Sequence, residues 1–176
     1  MEKHHHLHHP HPRQRSWLKW ILALLVLAAA IGIGLWIHCS GIPKGPLRLG
    51  LDFEKSVFAK VSDKGDVTIL EKAEYERGES VNFALMKVGK FQKGADGKHW
   101  VDMDMKVWDG NKMIFEKAGL LGEGGKVELK DGFAESPTGV FTATASLKPG
   151  DYTMGLWVYD KIGGGKAYDA GVFTVK

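Results

Sequence analysis

The feature that most constrains this chain is an uninterrupted apolar run from Trp20 to Ile37. A run of about 18 apolar residues is long enough to cross a bilayer core of about 30 Å as a helix. Arg13, Arg15 and Lys19 precede the run, and the positive-inside rule keeps such cations in the cytoplasm. The sequence therefore predicts a single-pass membrane protein with a cytoplasmic N-terminus and a C-terminal domain that is periplasmic or extracellular.

A cleaved secretory signal is the alternative interpretation of the same segment, although the apolar part is longer than a usual signal core. A lipoprotein signal is disfavoured, because the bulky residues Trp36, Ile37 and His38 precede Cys39 where small residues are needed. Cys39 is the only cysteine, so no internal disulfide can form. We expect an uncleaved anchor.

The chain then divides into four segments. Residues 1–19 form a disordered His- and Pro-rich cytoplasmic tail, residues 20–38 the transmembrane helix, residues 39–46 a Gly/Pro linker, and residues 47–176 one extracytoplasmic domain. Six of the first eleven residues are histidine. The tail is therefore either a simple flexible extension or a metal-binding segment, because neutral imidazole is a good ligand.

The net charge of the chain comes from the tail. The formal net charge is +3, and four cations against one anion before Trp20 account for all of it. The remaining domain is neutral, which argues against nucleic acid as a partner.

Small residues recur at a spacing of four within the apolar run, as in the pair Ala28 and Gly32 and the pair Ala30 and Gly34. This spacing places them on one helix face, where they let a second helix approach closely. Such pairs are also common in any alanine-rich span. Helix–helix packing through Ala28 and Gly32 is a hypothesis for the anchor.

From Leu47 onward apolar residues alternate with polar ones, which is the period of a half-buried strand. Strands are predicted at Leu47–Phe53, Val57–Val61, Val67–Leu70, Val81–Leu85, Val101–Val107, Met113–Phe115 and Phe141–Leu147, with two more before the C-terminus. Turn residues such as Asp63–Asp66 and Asp109–Asn111 separate them. The predicted fold class is therefore all-β, an antiparallel sandwich after one transmembrane helix.

The segment from Leu147 through Lys148, Pro149, Gly150 and Asp151 to Tyr152 leads directly into an alternating strand. It resembles the tyrosine corner of immunoglobulin-like and fibronectin type III-like domains, and the resemblance extends over residues 78–176. It implies that Tyr152 hydrogen-bonds to upstream backbone and that Tyr152–Asp160 and Tyr168–Lys176 are the last two strands. The cysteine pair of antibody domains is absent, and Met154 occupies the matching position.

The same resemblance makes the strands at Val101–Val107 and Tyr152–Asp160 neighbours in one sheet. Their outer face then carries Trp100, Trp108, Trp157 and Tyr159, with Asp102 and Asp104 among them. Clustered exposed aromatic residues mark partner surfaces. The face is thus either a partner-binding surface or a surface buried by an insertion such as residues 116–137.

Two other groups of side chains in this region have ligand or acid–base chemistry. His99, Met103 and Met105 suit Cu(I), although both methionines have the spacing of core residues. Asp102 and Asp104 share one strand face and are expected to be solvated there. No nucleophile accompanies them, and Gly163–Lys166 lacks the spacing of a phosphate loop. The sequence thus predicts no enzyme and no cofactor. It predicts a noncatalytic binding module or accessory subunit with a protein partner in a membrane complex. A copper-handling protein is the alternative.

Overall fold

The computed structural model describes residues 42–62, 64–144 and 146–176. All described residues belong to one compact unit, Ile42–Lys176. The predictions for the tail, the transmembrane helix, Ala28, Gly32 and Cys39 fall outside the described part of the chain. Within the described part, no helix has the length and apolar character needed to cross a membrane.

The described residues contain eleven strands in two sheets. In chain order they are β1 (Leu47–Leu49), β2 (Lys55–Val61), β3 (Val67–Ile69), β4 (Glu74–Tyr75), β5 (Ser80–Met86), β6 (His99–Asp109), β7 (Lys112–Lys117), β8 (Lys126–Val127), β9 (Thr138–Thr142), β10 (Gly150–Asp160) and β11 (Lys166–Val175). Two short 3₁₀ turns, Gly122–Gly125 and Lys130–Gly132, flank β8. The described residues are thus all-β, as the alternation of apolar residues predicts.

The larger sheet has the order β1-β11-β10-β6-β7, with β4 beside β11 and β8 beside β6. The smaller sheet has the order β3-β2-β5-β9. All pairs are antiparallel except β4 with β11. Strands β6 and β10 have eleven residues each and pair from Val101 with Asp160 to Asp109 with Tyr152. This long central ladder sets which side chains of β6 and β10 share a face.

The core lies between the two sheets and receives alternate residues from both. From the larger sheet come the inward side chains of β6, β10 and β11, and from the smaller sheet those of β2, β5 and β9. The core includes Val101, Met103, Met105, Val107, Met154, Leu156, Val158, Phe173, Phe58, Val81, Phe83, Leu85 and Phe141. Because side chains alternate along a strand, this inward set fixes the even-numbered residues of β6 on the opposite, outer face.

The tyrosine corner implied by the resemblance is present. The Tyr152 hydroxyl donates to the Lys148 carbonyl at 2.8 Å, and the side chain is 5% exposed. Its ring stacks on Phe173 with centroids 5.7 Å apart. The start of β10 is therefore fixed both to the preceding turn and to the last strand.

Two predicted strands are several residues shorter in the structure. The prediction of one strand over Leu47–Phe53 was wrong, because the antiparallel ladder with β11 ends at Leu49 and Gly50 turns the chain with a φ of +73°. Leu47 and Leu49 are exposed, whereas Leu51 and Phe53 enter the core. The chain thus leaves β11 here and continues into the smaller sheet. Strand β9 ends at Thr142 instead of continuing to Leu147.

Candidate functional site

The outer surface of the larger sheet carries the four aromatic residues that the sequence predicts on one face. Trp100 and Trp108 belong to β6, and Trp157 and Tyr159 belong to β10. The register places Trp157 opposite Asp104 and Tyr159 opposite Asp102. Residue Tyr168 of β11, which pairs with Trp157, is a fifth aromatic residue of this surface. We call these five residues the aromatic face.

The sequence-based prediction of this face does not include Tyr168. Its position follows from the inward pair Phe173 and Val175, which sets the odd-numbered residues of β11 toward the core and Tyr168 outward. The alternation of inward and outward residues along the C-terminal strand is the sequence signal that identifies Tyr168 as part of this face.

Three of the five rings pack on one another around a glycine. The Trp157 ring lies 4.3 Å from the Tyr168 ring and 6.0 Å from the Trp108 ring, measured between centroids. A Cβ atom added to Gly155 would lie 3.0 Å from ring carbons of both Trp108 and Tyr168. The absence of a side chain at Gly155 therefore lets these two rings lie flat over the β10 backbone.

This packing buries part of the predicted binding surface. Trp108 is 3% exposed and Tyr168 is fully buried, whereas Trp157 and Tyr159 are half-buried. Burial raises the pKa of Tyr168, and the nearby Asp169 carboxylate acts in the same direction. Trp108 thus lies beneath the surface, and Trp157 and Tyr159 stay partly accessible, as does Trp100.

Lysine side chains lie against the accessible rings. Lys106 Nζ is 5.5 Å from the Trp157 centroid, and Lys166 Nζ is 5.9 Å from the Tyr159 centroid. Lys106 also pairs with Glu116 of β7 at 2.7 Å. The accessible surface therefore combines two ring faces with two ammonium groups, and cation–π attraction holds each ammonium near its ring.

The loop after β7 covers the Trp100 end of the face. Trp100 Nε1 donates to the Gly122 carbonyl at 3.0 Å, and Lys126 Nζ lies 4.4 Å from the Trp100 ring centroid. Residues 116–137 thus cover one side of Trp100, which stays half-buried like Trp157 and Tyr159. The partner-binding role of Trp100, Trp108, Trp157 and Tyr159 stays a prediction.

Asp102 and Asp104 hold this loop in place. Asp102 Oδ1 accepts from the backbone N–H groups of Leu121 and Gly122 at 3.3 and 3.4 Å. Asp104 Oδ1 accepts from the N–H of Gly119 at 2.8 Å. The expectation that Asp102 is solvated was wrong, because the residue is 8% exposed. The two carboxylates act as loop anchors.

Asp104 also fixes Tyr159. The Tyr159 hydroxyl donates to Asp104 Oδ2 at 2.8 Å. Burial raises the pKa of Tyr159, and the hydrogen bond and the negative charge of Asp104 raise it further. Tyr159 therefore stays a neutral donor whose ring is held at a defined position on the surface.

The structure places the two candidate methionine ligands in the core and His99 at the start of the same strand. Met103 and Met105 point into the core and are 5% and 1% exposed. His99 is four residues before Met103 on the same strand, a distance of about 13 Å along extended backbone. His99 Nδ1 accepts from the N–H of Leu129 at 3.2 Å. Across the described residues, no cluster of three His, Cys, Asp or Glu side chains could hold a metal ion.

Asp160, at the end of β10, is a buried polar residue that sequence reasoning missed. It is 3% exposed, and its carboxylate accepts from the N–H groups of Gln92, Ile162 and Gly163 at 2.8, 3.0 and 2.9 Å. These bonds fix the glycine-rich turn to the segment after β5. Because Asp at a strand end is common in turns, no local signal marks it as buried.

No family model and no curated protein matches the chain. Among solved structures, it is similar to the C-terminal domain of wzt, with 13% identity over 78% of this chain and 81% of that one, at a TM-score of 0.49. It is also similar to a Niemann-Pick type C2 protein from Japanese carpenter ant, with 8% identity over 77% of this chain and 99% of that one, at a TM-score of 0.48.

Proposed function

We propose that this chain is a noncatalytic binding module or accessory subunit that is anchored in a membrane and presents an immunoglobulin-like sandwich on the extracytoplasmic side. The apolar run Trp20–Ile37 with its preceding cations supports the anchor and its orientation. Its partner is another protein of the same membrane complex. The domain's neutral net charge argues against nucleic acid.

The strand order supports the immunoglobulin-like assignment. In such domains the strand that carries the corner tyrosine lies between two others of its sheet. Here β10 carries Tyr152 and lies between β6 and β11. The other sheet contains β2, β3, β5 and β9, and the connections from β5 to β6 and from β9 to β10 are among those that cross between the sheets.

The observation that carries the binding function is the arrangement of Trp157 and Tyr159. Both rings are half-buried, and each has a lysine ammonium over it. Tyr159 is fixed by Asp104, and Trp157 is fixed by the buried rings beside it. A rigid, amphipathic aromatic pair loses little conformational entropy when it binds, which is why Trp and Tyr dominate interface hot spots.

The test is to purify the full-length chain gently in detergent and to identify the proteins that accompany it. We expect a stoichiometric membrane protein that is lost in Trp157→Ala and kept in Val172→Ala, a substitution of an exposed residue of the same sheet. Circular dichroism must show that both variants keep the fold. A monodisperse chain without a companion, or a companion that survives Trp157→Ala, would contradict the proposal.

The anchor and its orientation are tested separately. We expect the full-length chain to stay in the membrane fraction after alkaline carbonate extraction. We also expect protease added from the extracytoplasmic side to degrade the domain before the tail. Release of an intact chain into the soluble fraction would contradict membrane anchoring.

A further inference from the structure

We propose that a cavity beside His99 binds a singly charged oxyanion, that is, a carboxylate or a phosphodiester group. The cavity has a volume of about 560 Å³ and lies at the start of β6. It shares no residue with the aromatic face. The residues that line it are Lys93, Gly97, His99, Glu128, Leu129 and Lys130.

His99 is the buried polar residue of this cavity. It is 3% exposed, and alternation along β6 points it to the same side as Val101 and Met103. Its Nδ1 accepts from the N–H of Leu129, and Nε2 has no hydrogen-bond partner among the described residues. In that part of the chain every fully buried side-chain nitrogen or oxygen has a partner. Nε2 therefore reaches solvent, and we place it in the cavity that His99 lines.

The hydrogen bond at Nδ1 decides the chemistry at Nε2. A nitrogen that accepts a hydrogen bond carries no proton, so the proton of the neutral ring is on Nε2. A metal ion needs a free electron pair on the nitrogen that it binds, and the protonated Nε2 offers none. Nε2 is instead a hydrogen-bond donor, so the group that binds there is an acceptor.

The charges of the lining favour an acceptor with one negative charge. The lining carries the ammonium groups of Lys93 and Lys130 and the carboxylate of Glu128, so two positive charges face one negative charge. Lys93 pairs with His99 in an isolated antiparallel bridge, which places both side chains on one face. Lys130 directly follows Leu129, whose N–H binds His99. A singly charged oxyanion balances the lining and accepts from Nε2, and such charge-assisted bonds are stronger than neutral ones.

Two other cavities lack this combination of charge and a buried donor. One, of about 750 Å³, is lined by two lysines and three carboxylates, which gives a net negative charge. The other, of about 590 Å³, is lined by Arg48, Asp52 and Lys90 among others, and Arg48 already pairs with Asp52 at 3.2 Å. None of the polar side chains that line these two cavities is buried. The cavity beside His99 is therefore the better site for an anion.

NMR of nitrogen-labelled histidine rings in the full-length chain, purified in a nonionic detergent, tests the site. Acetate and dimethyl phosphate are the probes, and chloride at the same concentration controls for ionic strength. His99→Asn identifies the His99 resonances by their loss. We expect a saturable shift of the Nε2 resonance with at least one oxyanion and none with chloride. A shift with acetate alone assigns the site to carboxylates, and a shift with dimethyl phosphate alone assigns it to phosphodiesters.

Matched variants test the part played by the two lysines. Lys93→Ala and Lys130→Ala should each weaken binding of the active probe by about threefold, because each removes one ammonium group at the surface. Lys98→Ala is the control, since Lys98 is exposed and precedes His99 in the chain but does not line the cavity. We expect its affinity for the probe to be unchanged.

Three results would overturn the site. The first is the absence of a saturable shift with either oxyanion, or an equal shift with chloride. The second is a loss of affinity in Lys98→Ala as large as that in Lys93→Ala and Lys130→Ala, which would show a general effect of charge. The third is a His99 ring whose proton is on Nδ1, because that ring form cannot accept from Leu129 and leaves the Nε2 electron pair free for a metal ion.

Discussion

The Tyr159 hydroxyl donates to Asp104 Oδ2 at 2.8 Å, and Asp104 Oδ1 accepts from the N–H of Gly119. One carboxylate thus joins strand β10, strand β6 and the loop after β7. The same bonds fix the position of the Tyr159 ring and the edge of the loop that covers Trp100. The accessible part of the aromatic face is therefore held by hydrogen bonds as well as by ring packing.

We predict that Tyr159→Phe lowers the free energy of unfolding by about 1.5 kcal/mol, the low end for a hydrogen bond to a charged acceptor, because Asp104 keeps its second partner. Tyr168→Phe is the control, since its hydroxyl makes only a 3.5 Å contact with the Pro43 carbonyl. Urea unfolding of both variants measures the difference. Equal losses would show that the bond to Asp104 contributes nothing of its own.

A second prediction concerns the glycine under the aromatic face. Gly155→Ala would place a Cβ atom 3.0 Å from the rings of Trp108 and Tyr168, so both rings must move. We expect a loss of about 1–3 kcal/mol in the free energy of unfolding, together with a red shift of the tryptophan emission.

Gly124→Ala is the matched control for that substitution, because nothing lies within 4 Å of a Cβ atom at this position. An unchanged emission spectrum in Gly155→Ala would show that Trp108 and Tyr168 do not depend on the open space above the β10 backbone.

The third prediction tests the corner that the resemblance implied. Tyr152→Phe removes the hydrogen bond from the hydroxyl to the Lys148 carbonyl at 2.8 Å. We expect the free energy of unfolding to fall by about 1 kcal/mol. Thr174→Val is the control, since it removes an exposed bond to Asp151 and should cost less. Denaturant midpoints compare the two, and a larger loss for Thr174→Val would contradict the role of the corner.

The sequence predicts the strands of the central ladder and their faces well, for a physical reason. Strict alternation over Val101–Val107 and over Tyr152–Val158 leaves one way to bury the apolar residues, and this also sets Trp108 and Trp157 outward. The turn residues Asp109–Asn111 bound β6 at one end. The shared face of the aromatic residues is thus a consequence of local pattern.

The burial of that face depends on contacts that no local pattern contains. Trp108 is covered because Gly155 and Tyr168, from two other strands, provide a surface for its ring. Asp102 is buried because a loop 19 residues further along the chain donates to it. In the same way, alternation over Leu47–Phe53 is genuine, but the change of sheet at Gly50 depends on which strands are free to pair.

The fourth prediction concerns Asp160, whose buried carboxylate accepts three backbone N–H bonds. In Asp160→Asn, the amide retains one acceptor oxygen and turns an NH₂ group toward a backbone donor. We expect the free energy of unfolding to fall by about 2–3 kcal/mol. The buried N–H donors lose a charged acceptor, and one of them is left unpaired. Asp109→Asn is the control, because Asp109 is exposed. Similar urea midpoints in both variants would contradict the stabilising role of the Asp160 carboxylate.

The last prediction is a decrease in stability at alkaline pH. Burial raises the pKa of Tyr75 to about 12, with a further contribution from the negative charge of Glu79. The unfolded chain releases this proton near pH 10 and the folded chain near pH 12. Between these values the folded state holds more protons, so the free energy of unfolding falls as the pH rises.

Tyr159 and Tyr168, whose pKa values are also raised, add to the same decrease. Urea unfolding at a series of pH values from about 9 to 12 measures it. In Tyr75→Phe we expect a lower stability at pH 9 but a shallower fall above pH 10, by about one proton in the slope. A slope unchanged by Tyr75→Phe would mean that this hydroxyl titrates alike in the folded and unfolded chains, and that its burial against the Ala59 carbonyl does not favour the neutral form.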